Sequence, residues 1–419
     1  MIERVYKRSF YEWWLQELYK ADRVLADFYS PSYEATIRKF RELDLRSFEL
    51  AREAIRARLG QKIPHAASAP DSSEVGILRR ELSKQRRHMR VRPLMERLPT
   101  LLGTLKPCFL MSPLSVAQYL SPKIAKFDLV VFDEASQIPP WDAVGAIGRG
   151  KQVIVVGDSK QLPPTSFFQR GESDDEYEED DLLTEDMESI LSECVASNLP
   201  RHWLSWHYRS RHEHLIAFSN HHYYQNRLLT FPSSIDKDEH LGVRWYHVAE
   251  GHYDHGKSRT NKLEAERVVE EVVRRLRDPE QKSRSVGVVT FSQAQQKLVE
   301  DLLEQKRAEF PEIEPYFSDD MLEPVFVKNL ENVQGDERDV IIFSICYGPD
   351  ASGKVRMNFG PLNRKGGERR LNVAITRARE QLLVFSTLTP EMIDLSRTRA
   401  EGVQHLKTFL AYADRGPAV

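Results

Sequence analysis

The chain has 419 residues, enough for two or three domains, and 41% of them are hydrophobic, which is ordinary for a globular protein. No apolar run approaches the roughly 18 residues needed to span a bilayer, and the charged N-terminus lacks a signal-peptide core, so we expect a cytoplasmic protein with no membrane partner. The three cysteines, Cys108, Cys194 and Cys346, are widely separated, which excludes a disulfide framework and a CxxC metal site.

The net charge of −3 is unevenly distributed. Residues 172–188 hold eleven carboxylates and no basic residue, so the remainder of the chain carries +8. A mildly basic remainder permits nucleic-acid binding. We interpret the acidic run as a solvated insert; the alternative is a self-inhibitory mimic of nucleic acid.

Residues 1–95 are predicted to be helical, because aromatic and apolar residues recur there at helical spacing. These positions are Phe10, Trp13, Trp14 and Leu18 in one stretch, and Phe40, Leu43, Phe48 and Ala51 in another. We interpret both stripes as core. A further helix is predicted to carry seven basic side chains between Arg79 and Arg92, as either a solvated face or a phosphate-tracking surface.

From about residue 105, short apolar strands alternate with helices, the pattern of a parallel sheet. The predicted strands are 107–112, 128–133, 152–156, 243–248, 286–290, 325–328, 339–346 and 382–386. A break near 195–200 divides them into two sheets. The predicted fold class is therefore α/β, with two parallel-sheet domains after an N-terminal helical region.

Two consecutive strands of the first sheet end in polar residues, at the edge where open α/β sheets bind ligands. The residues are Asp133 and Glu134 after the first strand, and Gly157, Asp158, Gln161, Pro163 and Pro164 after the second. The first pair is typical of a Walker B site. Together the two strand ends predict half of a nucleotide-hydrolysing site.

The second half of the chain supplies side chains suited to a nucleotide. Tyr208 and Arg209 could stack on a purine and neutralise a phosphate. Glu337, in a turn before a strand, suits a sugar hydroxyl, and Arg377 is positioned like an arginine finger. The five histidines in 207–222 do not predict a metal site, because residues two apart on a helix face different directions.

Five segments, read in order, resemble the motor core of superfamily 1 helicases, in the Upf-like branch that moves 5′→3′ on single strands. The segments are DEASQ, GDSKQLPP, HYRS, VQGDERD and LNVAITRARE, similar to motifs II to VI. The resemblance covers about residues 105–415. It implies a helical insertion or stalk at 1–95, an incomplete first RecA-like domain at 96–195 and a second RecA-like domain at 196–419. It also implies ATP and Mg²⁺ as cofactors and single-stranded DNA or RNA as partner. The oligomeric state stays open, and a monomer is favoured.

The resemblance also implies roles for single residues. Asp133 would hold Mg²⁺ through water, and Glu134 would be the general base. Gln161 would sense the γ-phosphate, which Arg209 and Arg377 would contact. Tyr208 would stack on adenine and Glu337 would bind the ribose. Gly157, Asp158, Gly335 and Arg379 complete the expected nucleotide-binding set, and Ser112, Pro163, Thr290 and Gln295 form the expected nucleic-acid-binding set.

The Walker A loop of the family is missing, since no GxxxxGK[ST] segment lies between Met1 and Asp133. The literal match at 251–258 is rejected as the phosphate loop: it follows Walker B, its histidines and tyrosine would crowd a phosphate, and Asn261 and Glu264 predict a helix that starts three residues later. We therefore expect a helicase fragment that hydrolyses ATP poorly alone. The alternative is a non-hydrolysing nucleic-acid-binding or regulatory scaffold. DNA or RNA, as the strand, stays open.

Overall fold

The computed structural model describes residues 2–64, 69–122, 126–164, 188–233 and 240–415. The chain divides into two compact units, Met1–Lys126 and Phe127–Val419. All but the last residue of the acidic run predicted as a solvated insert lies outside the described residues. No helix within the described ranges is both long enough and apolar enough to cross a membrane.

The first unit is helical, as predicted. Its helices are α1 (Ile2–Ala21), α2 (Arg23–Ala26), α3 (Ser30–Gly60), α4 (Glu74–Ser83), α5 (Val91–Glu96), α6 (Leu101–Leu105) and α7 (Pro113–Tyr119). The predicted core stripes are wrong, because α1 and α3 bury no residue; Trp13 is 58% exposed and Phe48 62% exposed. Helical spacing places apolar residues on one face, but a second layer must cover that face before it becomes core.

The predicted basic helix is interrupted. Helix α4 ends at Ser83, and the carboxylate of Glu81 accepts a hydrogen bond from the main-chain N–H of Met89 at 3.0 Å while pairing with Lys84. Arg87 has a positive φ of 56° in the turn between α4 and α5. A buried carboxylate that captures downstream donors thus folds the chain back, and the basic side chains do not share one helix.

The predicted strand at 107–112 does not form. Residues 106–112 have no regular structure, and Leu110 is 96% exposed. A strand needs a neighbouring strand to pair its N–H and C=O groups. An apolar run that meets no such neighbour stays irregular, which periodicity alone does not reveal.

The second unit contains two parallel sheets joined by helices. Its elements are β1 (Val130–Phe132), α8 (Pro140–Ile147), β2 (Val153–Val155), α9 (Ile190–Ala196), α10 (His214–Tyr223), β3 (Gly242–His247), α11 (Lys262–Arg277), β4 (Val286–Thr290), α12 (Gln293–Glu309), β5 (Phe326–Asn329), β6 (Arg338–Ser344), α13 (Gly367–Ile375), β7 (Ala378–Ser386) and α14 (Glu401–Arg415). The small sheet pairs β1 with β2, and the large sheet has the order β3-β7-β6-β4-β5. The predicted division into two sheets is confirmed.

The core lies on both faces of the large sheet. Alternate residues of β6 enter opposite clusters: Ile341 and Phe343 pack with α10, α13 and α14, whereas Val340 and Ile342 pack with α11 and α12. The small sheet differs, because Val131 is 55% and Ile154 48% exposed. Parallel sheets are ordinarily covered on both faces, so the small sheet is only partly covered in the described residues.

Candidate functional site

Asp133 and Glu134 lie in a strained turn directly after β1. Glu134 has φ 51° and ψ 39°, a left-handed conformation that is uncommon for a residue with a side chain. Its N–H donates to Oδ1 of Asp133 at 3.0 Å, and the next N–H, of Ala135, donates to the carbonyl of Val156 at 2.9 Å. Asp133 and Glu134 are both exposed. The turn therefore presents both carboxylates at the carboxyl edge of the small sheet, as predicted.

Gly157 lets the end of β2 lie directly against that turn. A Cβ atom at this position would come within 2.9 Å of the main-chain nitrogen of Ser136 and 3.1 Å of that of Ala135. These are backbone atoms, which cannot move aside cheaply. Gly157 thus supports the shape of the acidic turn, and its part in nucleotide binding stays a prediction.

Asp158 binds protein groups rather than facing an open site. Its carboxylate accepts hydrogen bonds from the N–H of Lys160 at 2.8 Å, from Nε2 of Gln161 at 3.1 Å and from the hydroxyl of Tyr224 at 2.7 Å. Three donors occupy the two carboxylate oxygens. Asp158 thus holds the loop after β2, and its contact with a nucleotide stays a prediction.

Tyr224 and Asn372 join that loop to the large sheet. Nδ2 of Asn372 donates to the Tyr224 hydroxyl at 3.0 Å and to the carbonyl of Lys160 at 2.9 Å. Beside them, Leu162 is 5% exposed and belongs to the core cluster of the large sheet. No sequence pattern singled out Tyr224, because a tyrosine in an apolar helical pattern is typical of core.

Replacing Tyr224 with phenylalanine is expected to lower the free energy of unfolding by about 1–2 kcal/mol, because a nearly buried carboxylate loses one donor and Asn372 loses one acceptor. Urea denaturation measures this change. The matched variant, Tyr208→Phe, removes a hydroxyl from a side chain that is 85% exposed and is expected to leave stability unchanged. Equal stability of both variants would contradict a stabilising contact of the Tyr224 hydroxyl with Asp158 and Asn372.

Gln334 brings the two sheets together at the acidic turn. Its Nε2 lies 3.2 Å from Oε2 of Glu134 and 3.5 Å from Oε1 of Gln161. The chain reaches this position through Gly335, whose φ of +90° favours glycine. The predicted base and the predicted phosphate sensor thus share one partner, a residue of the second half of the chain.

Arg209 and Glu337 form an ion pair on the large-sheet side. Nε of Arg209 lies 2.6 Å from Oε2 of Glu337, and NH1 of Arg379 lies 3.5 Å from the other oxygen of that carboxylate. A ribose hydroxyl, the predicted partner of Glu337, would have to compete with these two guanidinium groups for its carboxylate. Tyr208, the predicted adenine platform, is 85% exposed, so its ring is accessible.

Arg379 is held in a cluster of carboxylates. It donates to Glu323 at 2.7 Å, to Asp339 at 3.0 Å and to the hydroxyl of Ser285 at 3.0 Å. The hydrogen bond that it donates to Glu323 raises the pKa of Arg379 above its ordinary value. Its donors tie β7 to neighbouring segments, and its contact with a nucleotide stays a prediction.

Arg377 has the opposite environment. Its residue is 3% exposed, and its guanidinium donates to the carbonyl of Val373 at 2.8 Å and to Oγ1 of Thr376 at 3.1 Å. It forms no ion pair with any carboxylate in the described part of the chain. Burial, together with the charge of Arg209, lowers its pKa to about 10, and the charge of Glu134 opposes this shift. A buried cation without a paired carboxylate suits an incoming anion.

Three residues of the predicted nucleic-acid-binding set are buried. Thr290 and Gln295 have no exposed surface, and Pro163 is buried. Gln295 accepts from the N–H of Asn261 at 2.9 Å and donates to Oγ of Ser344 at 3.0 Å. These residues support the fold, and their prediction as direct strand contacts is corrected.

Ser112 lies in the first unit. Its exposed hydroxyl accepts the N–H of Ser115 at 3.2 Å and so begins α7. Nothing else in its surroundings assigns it to a strand, and its role stays a prediction.

The GxxxxGKS match at 251–258 is not built as a phosphate loop. Asp254 accepts the N–H of Ser258 at 3.2 Å and its hydroxyl at 2.9 Å, so the loop's own carboxylate takes the donors that a phosphate would need. Helix α11 begins only at Lys262, and its cap Asn261 accepts the N–H of Glu264 at 3.2 Å, as predicted. The described residues also contain no cluster of three or more metal-ligating side chains.

Comparisons with known proteins agree with this arrangement. A family model described as "AAA domain" matches residues 186–389, and another with the same description matches residues 61–169. An uncharacterised ATP-dependent helicase of Mycoplasma genitalium is 34% identical over 320 residues, 75% of this chain and 28% of that protein. DNA polymerase alpha-associated DNA helicase A of Saccharomyces cerevisiae is 25% identical over 302 residues, 64% of this chain and 39% of that protein.

The probable helicase senataxin of Homo sapiens is 24% identical over 377 residues, 85% of this chain and 13% of that protein. This chain therefore spans well under half the length of each of these relatives. The motifs stand in helicase order, the sheets are parallel, and the relatives are named as helicases. The chain belongs to the superfamily 1 helicases, in the Upf-like branch.

Proposed function

We propose that this chain contributes the ATP-hydrolysing cleft of a helicase or translocase that acts on single-stranded DNA or RNA. The observation that carries the proposal is the environment of Arg377, a buried guanidinium with no ion pair in the described chain, next to Arg209. The acidic turn of Asp133 and Glu134 belongs to the same cleft, because Gln334 links Glu134 to the large sheet.

The side chains fit the steps of phosphoryl transfer to water. Exposed carboxylates are ligands that Mg²⁺ prefers, and Asp133 would hold the ion, which neutralises charge on the phosphates when bound. Glu134 would accept the proton of the attacking water. Arg377 and Arg209 would stabilise the negative charge that develops on the transferred group. Tyr208, which is exposed, would stack on the base.

We further propose that a phosphate-binding loop from outside these 419 residues completes the site. No GxxxxGK[ST] segment precedes Asp133. In addition, Val131 and Ile154 leave both strands of the small sheet partly uncovered, as expected if further segments pack against them. The chain alone is then expected to hydrolyse ATP slowly, even with single strands present.

A steady-state ATPase assay with oligo(dT) or oligo(rU) tests this proposal. Weak turnover, reduced to background by Glu134→Gln, supports a cleft that lacks its phosphate loop. Robust turnover that Lys257→Ala abolishes would show that the 251–258 segment is the phosphate loop after all. No turnover together with no binding of either oligonucleotide would contradict the helicase proposal for this chain.

A further inference from the structure

A series of hydrogen bonds between the two sheets passes through the hydroxyl of Tyr224, directly after α10. This hydroxyl donates to Oδ2 of Asp158 at 2.7 Å and accepts from Nδ2 of Asn372 at 3.0 Å. Asp158 follows β2 of the small sheet, whereas Asn372 lies in α13, which packs on the large sheet. One oxygen atom of Tyr224 therefore joins the two sides of the cleft.

The direction of both hydrogen bonds at this hydroxyl is fixed. Tyr224 is 8% exposed, and burial, together with the charge of Asp158, raises its pKa, so the hydroxyl keeps its proton. An ionised carboxylate only accepts, so this proton points to Asp158. The lone pairs of the hydroxyl then face Asn372, which must approach with its amide nitrogen.

On the small-sheet side, the series ends at the predicted general base. The oxygen of Asp158 that accepts from Tyr224 also accepts from Nε2 of Gln161 at 3.1 Å. Because the carboxylate only accepts, Gln161 turns its nitrogen to Asp158 and its oxygen to the cleft. There, Nε2 of Gln334 lies 3.5 Å from this oxygen and 3.2 Å from Oε2 of Glu134. Gln161 thus presents an acceptor, not a donor, to the cleft.

On the large-sheet side, the series ends at the predicted arginine finger. The main-chain carbonyl of Asn372 accepts the hydroxyl of Thr376 at 3.0 Å. Oγ1 of Thr376 accepts in turn from the guanidinium of Arg377 at 3.1 Å. The position of Asn372 therefore sets the position of the segment that carries Arg377.

The side chain of Asn372 is oriented by its two donor contacts, although one of its atoms lacks a partner. The residue is fully buried, and Oδ1 accepts no hydrogen bond from the described residues. Turning the amide over would place this oxygen against the carbonyl of Lys160, which now accepts from Nδ2 at 2.9 Å. A buried acceptor without a donor lowers stability, so stability alone does not account for this arrangement.

We propose that Tyr224 is a positioning residue for ATP hydrolysis. Through Asp158 it holds the amide oxygen of Gln161 towards the cleft, where this oxygen can accept a hydrogen bond from the attacking water but cannot donate one to a phosphate. Through Asn372 it fixes the place of this amide relative to Arg377. The inference rests on the proposed function, and Tyr224 lies outside every segment that resembles a helicase motif.

The neighbouring tyrosine provides a matched control. Tyr223 is 5% exposed, and its hydroxyl donates to the carbonyl of Glu368 at 2.9 Å and lies 2.8 Å from Nδ1 of His405. Replacing either tyrosine with phenylalanine therefore removes a buried hydroxyl with two hydrogen bonds from the same end of α10. Only the Tyr224 variant interrupts the series that leads to Gln161.

Single-turnover hydrolysis, with the whole chain in excess over ATP and at a temperature where both variants stay folded, tests the proposal. Tyr224→Phe is expected to lower the maximal rate about tenfold and to leave half-saturation within about twofold, because the hydroxyl acts on the transition state without contacting the nucleotide. Tyr223→Phe is expected to melt at a lower temperature than the wild type but to hydrolyse ATP at the wild-type rate. Equal slowing in both variants would overturn the proposal.

Binding of MgADP with aluminium fluoride, which mimics the transition state, gives a readout that needs no turnover. Tyr224→Phe is expected to weaken this binding by the same factor as the rate and to leave binding of MgADP alone unchanged. In a Gln161→Ala background, Tyr224→Phe is expected to add less than about a twofold loss, because both residues act through one amide.

A full additional loss in the Gln161→Ala background would show that Tyr224 does not act through Gln161 and would overturn the proposal. The same holds if Tyr224→Phe keeps the wild-type rate while the wild-type chain hydrolyses ATP. If the wild-type chain neither hydrolyses ATP nor binds MgADP, the proposed function itself fails, and the role of Tyr224 fails with it.

Discussion

Replacing Arg377 with alanine is expected to lower ATP hydrolysis by about 10³-fold, to the rate without protein, which is the magnitude typical of an arginine finger. The reason is its position: a buried guanidinium that forms no ion pair in the described chain can bind a phosphate. Single-turnover assays with the chain in excess over ATP resolve the slow starting rate. Arg377→Lys is expected to recover little, since a lysine cannot reproduce the planar fork.

Arg379→Ala is the matched control. It removes the same charge two residues away, from a guanidinium already bound to Glu323 and Asp339. This variant is expected to be less stable, because two partly buried carboxylates lose their partner, but to hydrolyse ATP at nearly the wild-type rate per folded molecule. Equal losses of hydrolysis in both variants would contradict the distinction between them.

A second variant of Arg377 tests its effect on stability. Replacing Arg377 with methionine removes a desolvated charge that faces Arg209, so the melting temperature is expected to rise by roughly a few degrees. The thermal shift that MgATP produces in the wild-type chain is expected to vanish. A variant that melts well below the wild type would indicate that Arg377 is mainly structural.

Replacing Glu264 with alanine is expected to lower the free energy of unfolding by about 3 kcal/mol or more. The fully buried carboxylate accepts hydrogen bonds from Oγ of Ser344 at 2.7 Å, the N–H of Cys346 at 2.6 Å and the N–H of Thr387 at 3.2 Å. It thereby joins α11 to the carboxyl ends of β6 and β7. Urea denaturation measures the loss, and Glu270→Ala, an exposed pair on the same helix, is expected to change little.

The stability supplied by Glu264 also depends on pH. Burial raises its pKa from 4.5 to about 7, although the hydrogen bonds from Cys346, Ser344 and Thr387 oppose the shift. The folded chain therefore holds this proton more tightly than the unfolded chain. Its contribution is complete below about 4.5 and is lost as pH rises through about 7. Stability is expected to fall over this range in the wild type more than in Glu264→Ala; identical pH profiles would contradict the assignment.

The local sequence pattern predicted much of the fold and the carboxylates on one side of the candidate site. The strand that ends at Asp133 and Glu134 could be predicted because it is a short apolar run, and parallel strands present their carboxyl ends at one edge. The start of α11 after Asn261 was readable because a capping residue acts within its own turn. These features depend on neighbours a few residues apart.

Contacts between distant segments could not be predicted in this way. Asp158 and Gln161 follow the same strand but have different distant partners. The hydroxyl of Tyr224 donates to Asp158, whereas the side-chain amide of Gln334 approaches Gln161. Arg377 and Arg379 are two residues apart with the same side chain, but one is buried without an ion pair and the other is bound to carboxylates. No periodicity distinguishes them.

The sequence by itself therefore determined the family, the two parallel sheets and the order of the motifs, because these depend on local apolar runs and on short signatures. Only the tertiary structure decided which polar side chains remain available. It buried Thr290 and Gln295 and left Trp13 and Phe48 uncovered. The physical reason is that a pattern sets which residues share a face, whereas burial and pairing depend on what packs against that face.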